Sequence, residues 1–232
     1  MDLFIIIPAR NEEKHIATVI NNTKPYCQNI IVVDDGSTDQ TSTVAKQTGA
    51  LTVTHKVNLG KGAAMKTGCE YAIQQGATHL IVMDADGQHE PKEIPHFQKA
   101  LETNDIVFGT RNMPKSMPFV MRFGNKFINK TLNFFHNVNI EDSQCGYRAF
   151  TAQAYQKIRW DALDYFVETE MTIRAGKQKL KYIQLPIQTI YNDNYKGTTI
   201  LDGINIVTKM ISSKILKQKI KTNHDHHFLD SI

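Results

Sequence analysis

The sequence predicts an α/β domain in which helices cover both faces of a mainly parallel central sheet. Five short runs are almost continuously apolar, which is the pattern of strands buried on both faces. Segments of helical length and pattern separate these runs, and repeated strand–helix–strand units build parallel sheets. With 232 residues, of which 41% are hydrophobic and 22% charged, the chain has the length and composition of a globular domain with a sizeable core.

The predicted elements follow one another in a regular order along the first half of the chain. The strands are DLFIII, NIIVVDD, LTVTH, THLIVMD and NDIVFGT, and the helices between them are NEEKHIATVINNT, TDQTSTVAKQTG, KGAAMKTGCEYAIQQG and EPKEIPHFQKALETN. Gly49 and Gly76 are predicted to end two helices, since glycine readily adopts the left-handed conformation found there. The repeat stops after Asn112. We predict one domain over residues 1–196, followed by a basic amphipathic extension and a flexible tail over residues 197–232.

Composition and charge exclude several classes of protein. The 27 basic and 23 acidic residues give a net charge of +4, which is too small to indicate nucleic-acid binding without a concentrated basic face. No apolar run approaches the roughly 18 residues that span a bilayer, and the opening run, interrupted by Pro8, is predicted as a strand rather than a signal peptide. Three widely spaced cysteines are typical of reduced thiols. A cytoplasmic protein is therefore expected.

Charged and polar residues gather where four of the predicted strands end. Strand one ends in PARNEE, strand two in DDGSTD, strand four in DADGQH and strand five in GTR. Ligands of open parallel sheets bind beyond the carboxyl ends of the strands. The four ends therefore indicate one shared site.

Asp84 and Asp86 stand one residue apart at the end of the fourth strand. Two carboxylates placed in this way can converge on a hard cation such as Mg²⁺ or Mn²⁺, which prefers oxygen ligands and often binds substrate phosphates as well. Gln88 can add an amide oxygen. The alternative is an ordinary turn, because aspartate and glycine favour turns. The charged ends of the other strands favour the metal site.

Two further strand ends have the chemistry of a nucleotide site. Asp34 and Asp35 can accept hydrogen bonds from a nucleobase or a ribose hydroxyl, although residues 37–39 of the same segment can equally cap the next helix. Lys61 lies between two glycines at a helix start, where a lysine can neutralise a diphosphate. The segment lacks the ending of a Walker motif, and no G-x-G-x-x-G follows a strand, which argues against a dinucleotide cofactor.

Six motifs in this order and spacing resemble one enzyme family. PARNEE, VVDDGSTD, NLGKGAA, DADGQH, GTR and DSQCGYR are similar to those of family-2 inverting glycosyltransferases of the GT-A fold, and more closely to those of dolichol- or polyprenyl-phosphate sugar synthases. The resemblance covers roughly residues 1–190. It implies a nucleotide-diphosphate sugar donor and a Mg²⁺ or Mn²⁺ ion on Asp84, Asp86 and Gln88. The implied nucleotide-sugar contacts are Pro8, Arg10, Glu12, Asp34, Asp35, Lys61, Asp84 and Ala85.

The resemblance also implies that the acceptor is a polyprenyl phosphate whose own oxygen is the nucleophile. A phosphate is ionised at neutral pH, so arginines that position it are expected instead of a strong general base. Arg111 and Arg122 are the implied acceptor-phosphate ligands and, with Asp86, the catalytic residues. Weaker candidates for the acceptor or sugar are Asp142, Gln144, Arg148, Glu170 and Lys196. Arg148 can equally form a structural ion pair, and a lysine at 196 does not reproduce the guanidinium fork that some family members place there.

Two basic amphipathic segments predict a peripheral protein on the cytoplasmic face of an anionic membrane. Residues Phe119–Phe135 can form a helix with an apolar face beside Arg122, Lys126 and Lys130, and Thr199–Lys221 has five lysines. The alternative is ordinary packing on the sheet. Three functional alternatives also stay open: a glycosyltransferase of the same fold that acts on a glycan, protein or other lipid, a sugar-nucleotide pyrophosphorylase, and a non-catalytic nucleotide-sugar-binding protein.

Overall fold

The computed structural model describes residues 1–111, 129–133 and 138–190. In this part of the chain, one sheet has the strand order β3-β2-β1-β4-β6-β5-β7. The strands are β1 (Leu3–Ala9), β2 (Ile30–Asp34), β3 (Leu51–Thr54), β4 (His79–Val82), β5 (Ile106–Arg111), β6 (Arg148–Thr151) and β7 (Tyr182–Ile187). The helices are α1 (Ile16–Thr23), α2 (Thr41–Gln47), α3 (Lys61–Gln74), α4 (Ile94–Leu101), α5 (Ala152–Ile158) and α6 (Val167–Lys177).

The mainly parallel sheet is confirmed. β1 pairs in parallel with β2 and β4, β2 with β3, and β5 with β7. β6 runs antiparallel between β4 and β5, so that β5 is not the direct neighbour of β4. The sequence did not predict β6 or β7, because β6 has four residues and begins with an arginine, while β7 is a partly exposed edge strand that contains Pro186.

Each face of the sheet is covered by its own hydrophobic core. Ile5 and Ile7 of β1 point to the face covered by α1 and α4, while Ile6 between them points to the face covered by α3, α5 and α6. This explains why the strand is apolar at every position. Helix α3 lies very close to the sheet, since a Cβ atom at Gly68 would be 2.4 Å from Cγ2 of Ile6.

Two helices end at the glycines that the sequence predicts as their carboxyl-terminal stops. Gly49 and Gly76 follow α2 and α3 and have φ angles of 82° and 92°, in the left-handed region. The first predicted helix begins later than expected, at Ile16, because the chain still turns at Asn11, where φ is 54°. The fourth begins with a 3-10 turn, Pro91–Glu93, before α4.

Several predictions concern residues outside the described ranges. Of the predicted helix Phe119–Phe135, residues 129–133 are described and are helical. Arg122, Lys196 and the segment Thr199–Lys221 lie outside the described residues, and the domain boundary after residue 196 stays a prediction. Among the residues that the structure describes, no helix has the length and apolar character needed to cross a bilayer.

Candidate active site

A cleft of about 570 Å³ opens at the carboxyl ends of β1, β2, β4 and β5, within the usual size range of small-molecule sites. Because β6 runs antiparallel, its first residue lies at the same edge of the sheet, and the loop before β6 also reaches the cleft. The structure thus brings most of the predicted site residues together. Those that line the cleft are Pro8, Arg10, Glu12, Asp35, Lys61, Asp84, Ala85, Asp86, Gln88, Arg111 and Gln144.

Asn11 joins the loops that follow the first two strands. Its side-chain oxygen accepts a 2.9 Å hydrogen bond from the backbone N–H of Thr38, and its own N–H donates to Oγ of Ser37 at 2.9 Å. The side chain can do this because asparagine tolerates the left-handed backbone conformation. The two loops therefore form one wall of the cleft, on which Arg10 and Glu12 also lie.

The carboxylate of Asp35 holds the loop that leads into α3. Oδ1 accepts a 2.9 Å hydrogen bond from the N–H of Leu59, and Oδ2 accepts one of 2.8 Å from the N–H of Gly60. Oδ1 also lies 2.8 Å from Nδ1 of His55, whose Nε2 is 3.0 Å from Oγ1 of Thr67. Asp35 borders the cleft, but its oxygens are engaged by the protein, so its visible contribution is to fix the shape of this wall.

Lys61, the first residue of α3, bridges two carboxylates. Its Nζ lies 2.7 Å from Oδ1 of Asp84 and 2.8 Å from Oε1 of Glu168. Burial alone would lower the pKa of Lys61, but the charges of Asp84 and Glu168 outweigh this effect and raise it. Burial alone would likewise raise the pKa of Asp84, yet the Lys61 charge holds it at about 2. At neutral pH the lysine is charged and Asp84 is ionised.

The pKa of Asp86 is shifted upward, in the direction opposite to that of Asp84. Burial, and then the charge of Asp84, raise the pKa of Asp86 to about 6. Its Oδ1 accepts a 3.0 Å hydrogen bond from the N–H of Gln88, which closes the turn after β4. Two carboxylates that repel each other at the edge of a cleft favour the arrival of a cation.

His89 supports the same turn through the backbone. Its Nδ1 accepts a 3.0 Å hydrogen bond from the N–H of Asp84, which places the ring proton on Nε2, 3.8 Å from Oδ2 of Asp84. The buried ring stacks on Tyr147 with centroids 4.9 Å apart. Burial lowers the pKa of His89 to about 4, so the imidazole is neutral at neutral pH and acts as a fixed hydrogen-bonding group.

Asp84, Asp86 and Gln88 form an oxygen-rich wall that fits a hard divalent cation. Mg²⁺ is usually held by one or two carboxylates, with water and substrate phosphate oxygens as its other ligands. Within residues 1–111, 129–133 and 138–190, no group of three or more His, Cys, Asp or Glu side chains could hold a metal ion. The residues therefore fit a cation that is shared with a phosphorylated substrate, rather than one enclosed by protein.

Arg111, at the end of β5, is oriented by a buried carboxylate. Its Nε donates to Oδ2 of Asp142 at 2.7 Å, and its Nη2 donates to Oδ1 at 3.0 Å. Asp142 is 1% exposed and also accepts a 3.3 Å hydrogen bond from the N–H of Gln144. A bidentate pair fixes the plane of the guanidinium group. Arg111 therefore brings a positive charge to a defined place in the cleft.

Comparison with known proteins identifies the family of the chain. The profile of glycosyl transferase family 2 matches residues 4–159. The chain belongs to glycosyl transferase family 2. The predicted enzyme class and the predicted GT-A fold are thereby confirmed.

Named relatives of this family-2 glycosyltransferase act on lipid phosphates. It is 32% identical to the UDP-N-acetylglucosamine–dolichyl-phosphate N-acetylglucosaminyltransferase of Methanococcus voltae over 243 residues, which cover 93% of this chain and 97% of the relative. It is 29% identical to the polyprenol monophosphomannose synthase of Mycolicibacterium smegmatis over 218 residues, covering 87% and 82%.

A solved structure supports the fold assignment. It is the glucosyl-3-phosphoglycerate synthase of Mycobacterium tuberculosis in complex with Mn²⁺, UDP and phosphoglyceric acid, and it superposes with a TM-score of 0.69. The alignment covers 90% of this chain and 77% of that chain at 19% identity. At this level of identity the similarity establishes a shared fold.

Gly146 of the glycosyltransferase allows Asp84 to lie against the loop before β6. A Cβ atom at this position would be 2.6 Å from Oδ2 of Asp84, closer than side chains pack. We expect Gly146→Ala to displace this carboxylate and to lower kcat/KM for the sugar donor by on the order of 10–100-fold, because misplacement of about 1 Å has effects of this size. Steady-state kinetics provide the check. Unchanged kinetics would show that Asp84 moves without consequence.

Four predicted site residues that the structure describes do not line the cleft, namely Asp34, Asp142, Arg148 and Glu170. Asp34 is 2% exposed, and its Oδ1 accepts a 3.2 Å hydrogen bond from the N–H of Ser37, which stabilises the turn after β2. Asp142 does not itself line the cleft and bonds Arg111 and Gln144, which do. The nucleotide contact predicted for Asp34 and the substrate contact predicted for Asp142 are therefore corrected to positioning roles.

Arg148, the third of these residues, is fully buried at the start of β6. Its guanidinium group donates to the carbonyl oxygens of Ser143, Cys145 and Glu168 at 2.6, 2.8 and 2.6 Å. The group also lies 5.0 Å from the ring centre of Phe108. The predicted substrate contact is replaced by a structural one, which ties the loop before β6 to α6. Backbone carbonyls, rather than the ion pair considered from the sequence, are its partners.

The acceptor or sugar contact predicted for Glu170 is corrected to a structural role, and Glu168 of the same helix lies at the cleft. Glu170 bonds Arg174 and the N–H groups of Asp161 and Ala162, away from the cleft, whereas Glu168 is 3% exposed and lines it. The spacing of Glu170 and Arg174 by four residues is typical of a surface ion pair on a helix, and it could have indicated which glutamate faces outward.

Other cleft residues were not singled out from the sequence, although five of them fall within the motifs PARNEE and NLGKGAA. Most of the eight lie in loops, whose approach to the site depends on contacts between distant segments, while Ala9 ends β1 and Ala64 and Glu168 lie in α3 and α6. One such contact is the 2.8 Å hydrogen bond from the N–H of Gly62 to the carbonyl of Leu163, which brings residues 164 and 165 to the cleft. The lining residues that were not predicted are Ala9, Asn11, Asn58, Gly60, Ala64, Asp164, Tyr165 and Glu168.

Proposed function

We propose that this glycosyltransferase moves a sugar, with inversion, from a nucleotide-diphosphate sugar to a polyprenyl phosphate in a reaction that depends on Mg²⁺ or Mn²⁺. The observation that carries the proposal is a single cleft in which the carboxylates of Asp84 and Asp86 and the oriented guanidinium group of Arg111 meet. An anionic donor with its cation and an anionic acceptor suit these opposite charges. The names of the relatives, which act on dolichyl and polyprenol phosphates, support the same acceptor.

The donor half of the proposal uses the first three strand-end loops and the turn after β4. The wall formed by Arg10, Glu12 and the loop that Asp35 holds would receive the base and ribose. Lys61 would neutralise part of the diphosphate charge from the start of α3. Asp84 and Asp86, with Gln88 and Ala85 in the same turn, would hold a cation, which supplies electrostatic stabilisation of the departing diphosphate when bound.

The acceptor half depends on positioning rather than on proton removal. The acceptor phosphate is already anionic, so its oxygen can attack the anomeric carbon directly in a single displacement, which inverts the configuration. Arg111 would hold this phosphate, with Gln144 beside it on the same wall. Arg122 and Lys196, which lie outside the described residues, remain predicted partners of the phosphate.

The proposal is tested by the solubility of the product. Purified protein is incubated with radiolabelled UDP- or GDP-sugars, Mn²⁺ and a polyprenyl phosphate, and the label is measured after extraction with organic solvent. We expect label in the organic phase that requires both the metal and the lipid phosphate. Transfer to a water-soluble glycan or to protein instead would favour another acceptor of the same fold, and no transfer from any donor would contradict the proposal.

The lipid acceptor leads to a prediction about membranes. We propose that the protein binds peripherally to the cytoplasmic face of an anionic membrane through the basic segments predicted at residues 119–135 and 199–221. Co-sedimentation is expected with vesicles that contain anionic lipid and to be weaker with neutral vesicles or at high salt. Equal binding to both kinds of vesicle would contradict an electrostatic contact.

A further inference from the structure

Glu168 holds a buried carboxylate oxygen without a hydrogen-bonding partner in the described part of the chain. The side chain is nearly inaccessible and its Oε1 lies 2.8 Å from Nζ of Lys61, but Oε2 is unpartnered. A buried acceptor that lacks a hydrogen bond is costly and uncommon in folded proteins. Because Glu168 lines the cleft, a bound molecule can provide the missing donor.

Hydrogen bonds fix the backbone at Glu168, so this residue has a defined position beside the cleft. The carbonyl oxygen of Glu168 accepts hydrogen bonds from Nη1 of the buried Arg148 and from Oγ1 of Thr172. The last torsion of a glutamate side chain is broad and roughly two-fold, so the two carboxylate oxygens can exchange places. Either oxygen can therefore face a ligand while the other stays on Lys61.

Glu168 lies between the residues proposed to bind the donor diphosphate and those proposed to bind the acceptor phosphate. Lys61 connects it to Asp84, on the wall assigned to the cation and the diphosphate. On the other side, the neighbouring Thr169 accepts a 2.8 Å hydrogen bond from Nε2 of Gln144, next to the segment that orients Arg111. In a single displacement the transferred sugar must lie between the leaving diphosphate and the attacking phosphate.

We propose that Glu168 accepts a hydrogen bond from a hydroxyl or amide N–H group of the transferred sugar and thereby contributes to sugar specificity. An ionised carboxylate only accepts hydrogen bonds, so its partner must carry a hydrogen, which excludes the diphosphate and the acceptor phosphate. The inference rests on the proposed function, because it takes the donor to be a nucleotide-diphosphate sugar. A site that hydrogen-bonds a substrate hydroxyl discriminates strongly against analogues that lack it.

The test separates sugar binding from nucleotide binding. Dissociation constants are measured with Mn²⁺ for UDP, GDP, UDP-glucose, UDP-N-acetylglucosamine and GDP-mannose, without any lipid acceptor. For the donor that binds best, the sugar contribution is the affinity ratio of nucleotide sugar to nucleoside diphosphate. We expect Glu168→Gln to reduce this ratio roughly 10–100-fold, the effect of one lost hydrogen bond to a charged group, while the nucleoside diphosphate binds no more weakly.

A matched control and a series of analogues complete the experiment. Glu93→Gln changes another buried glutamate, which bonds His96 outside the cleft, and should leave the ratio unchanged. Analogues of the preferred donor that each lack one hydroxyl or the acetamido group should include one that binds wild type and Glu168→Gln equally, because its missing group is the partner of Glu168. This series on the wild type alone is informative even if the variant does not fold: equal affinity for all analogues would overturn the inference.

The outcomes distinguish the inference from the function on which it rests. If no nucleotide sugar binds the wild type, both the proposed function and the role of Glu168 are contradicted. If nucleotide sugars bind and Glu168→Gln keeps the full ratio, only the role of Glu168 is overturned. Equal weakening of nucleoside diphosphate and nucleotide sugar would also overturn it, because that result indicates a carboxylate that acts only by holding Lys61.

Discussion

Replacing Asp86 with alanine is expected to abolish sugar transfer while the protein stays folded. Asp86 lies on the oxygen-rich wall of the cleft, and its loss would leave Asp84 as the one carboxylate of this pair. Loss of an electrostatic group that stabilises developing charge commonly lowers turnover by about 10²–10³-fold, and loss of the cation as well would increase the effect. Radiolabel transfer to lipid phosphate, measured at saturating Mn²⁺, gives the residual rate.

Stability is the second readout for Asp86→Ala. Burial and the neighbouring charge of Asp84 raise the pKa of Asp86, which means that the folded protein disfavours its ionised form. The thermal midpoint of the metal-free variant should therefore be equal to or above that of the wild type at neutral pH. Asp161→Ala, at an exposed aspartate outside the cleft, is the control for the substitution and should retain transfer. Near wild-type turnover of Asp86→Ala would contradict the metal assignment.

Replacing Arg148 with methionine is expected to destabilise the protein severely, by about 2–6 kcal/mol. The buried carbonyl oxygens of Ser143 and Cys145 would lose their side-chain donor, and each unsatisfied buried acceptor costs about 1–3 kcal/mol. The carbonyl oxygen of Glu168 would keep its hydrogen bond from Oγ1 of Thr172. Such a loss is a large part of the roughly 5–15 kcal/mol that holds a domain folded. Urea denaturation of the two proteins measures the free energy of unfolding.

A surface arginine provides the comparison for Arg148. Arg159→Met removes a partly exposed guanidinium group that pairs with Glu70, and the denaturation midpoint should change little, because exposed ion pairs contribute little to stability. A second readout is donor affinity at low temperature, where part of Arg148→Met remains folded. Wild-type stability combined with lost donor binding would show that Arg148 contacts the substrate after all.

The residues of the proposed cation site could be placed together from the sequence because their pattern is local. Asp84, Asp86 and Gln88 come directly after one buried strand, so they lie close together where that strand ends. Asp35 was also placed correctly at the cleft, but its hydrogen bonds to residues 59 and 60 show that it shapes a wall. The sequence indicates that a carboxylate is present at a strand end. Its hydrogen-bonding partners come from residues distant in the chain, whose proximity no local pattern shows.

Arg148 and Glu168 show where prediction from sequence failed. Both are charged residues that the fold buries, and a charged residue in a sequence is most often exposed. Arg148 enters the core because it begins β6, which is inserted between β4 and β5, and it donates there to carbonyl oxygens of the preceding loop and of α6. Glu168 enters the cleft because the first turn of α6 borders it, while Glu170 of the same turn accepts hydrogen bonds from the N–H groups of Asp161 and Ala162. Neither placement follows from a local pattern.

By itself, the sequence determined the parallel α/β architecture, the edge of the sheet at which the cleft opens, and the pair of aspartates at the end of β4. Apolar runs and their spacing carry this information because strand burial and helix amphipathicity depend on neighbours along the chain. Only the tertiary structure decided that Lys61 bridges Asp84 and Glu168, and that Asp142 orients Arg111. These pairs join segments far apart in the chain, and the attraction between charges depends on their distance and burial in the folded molecule.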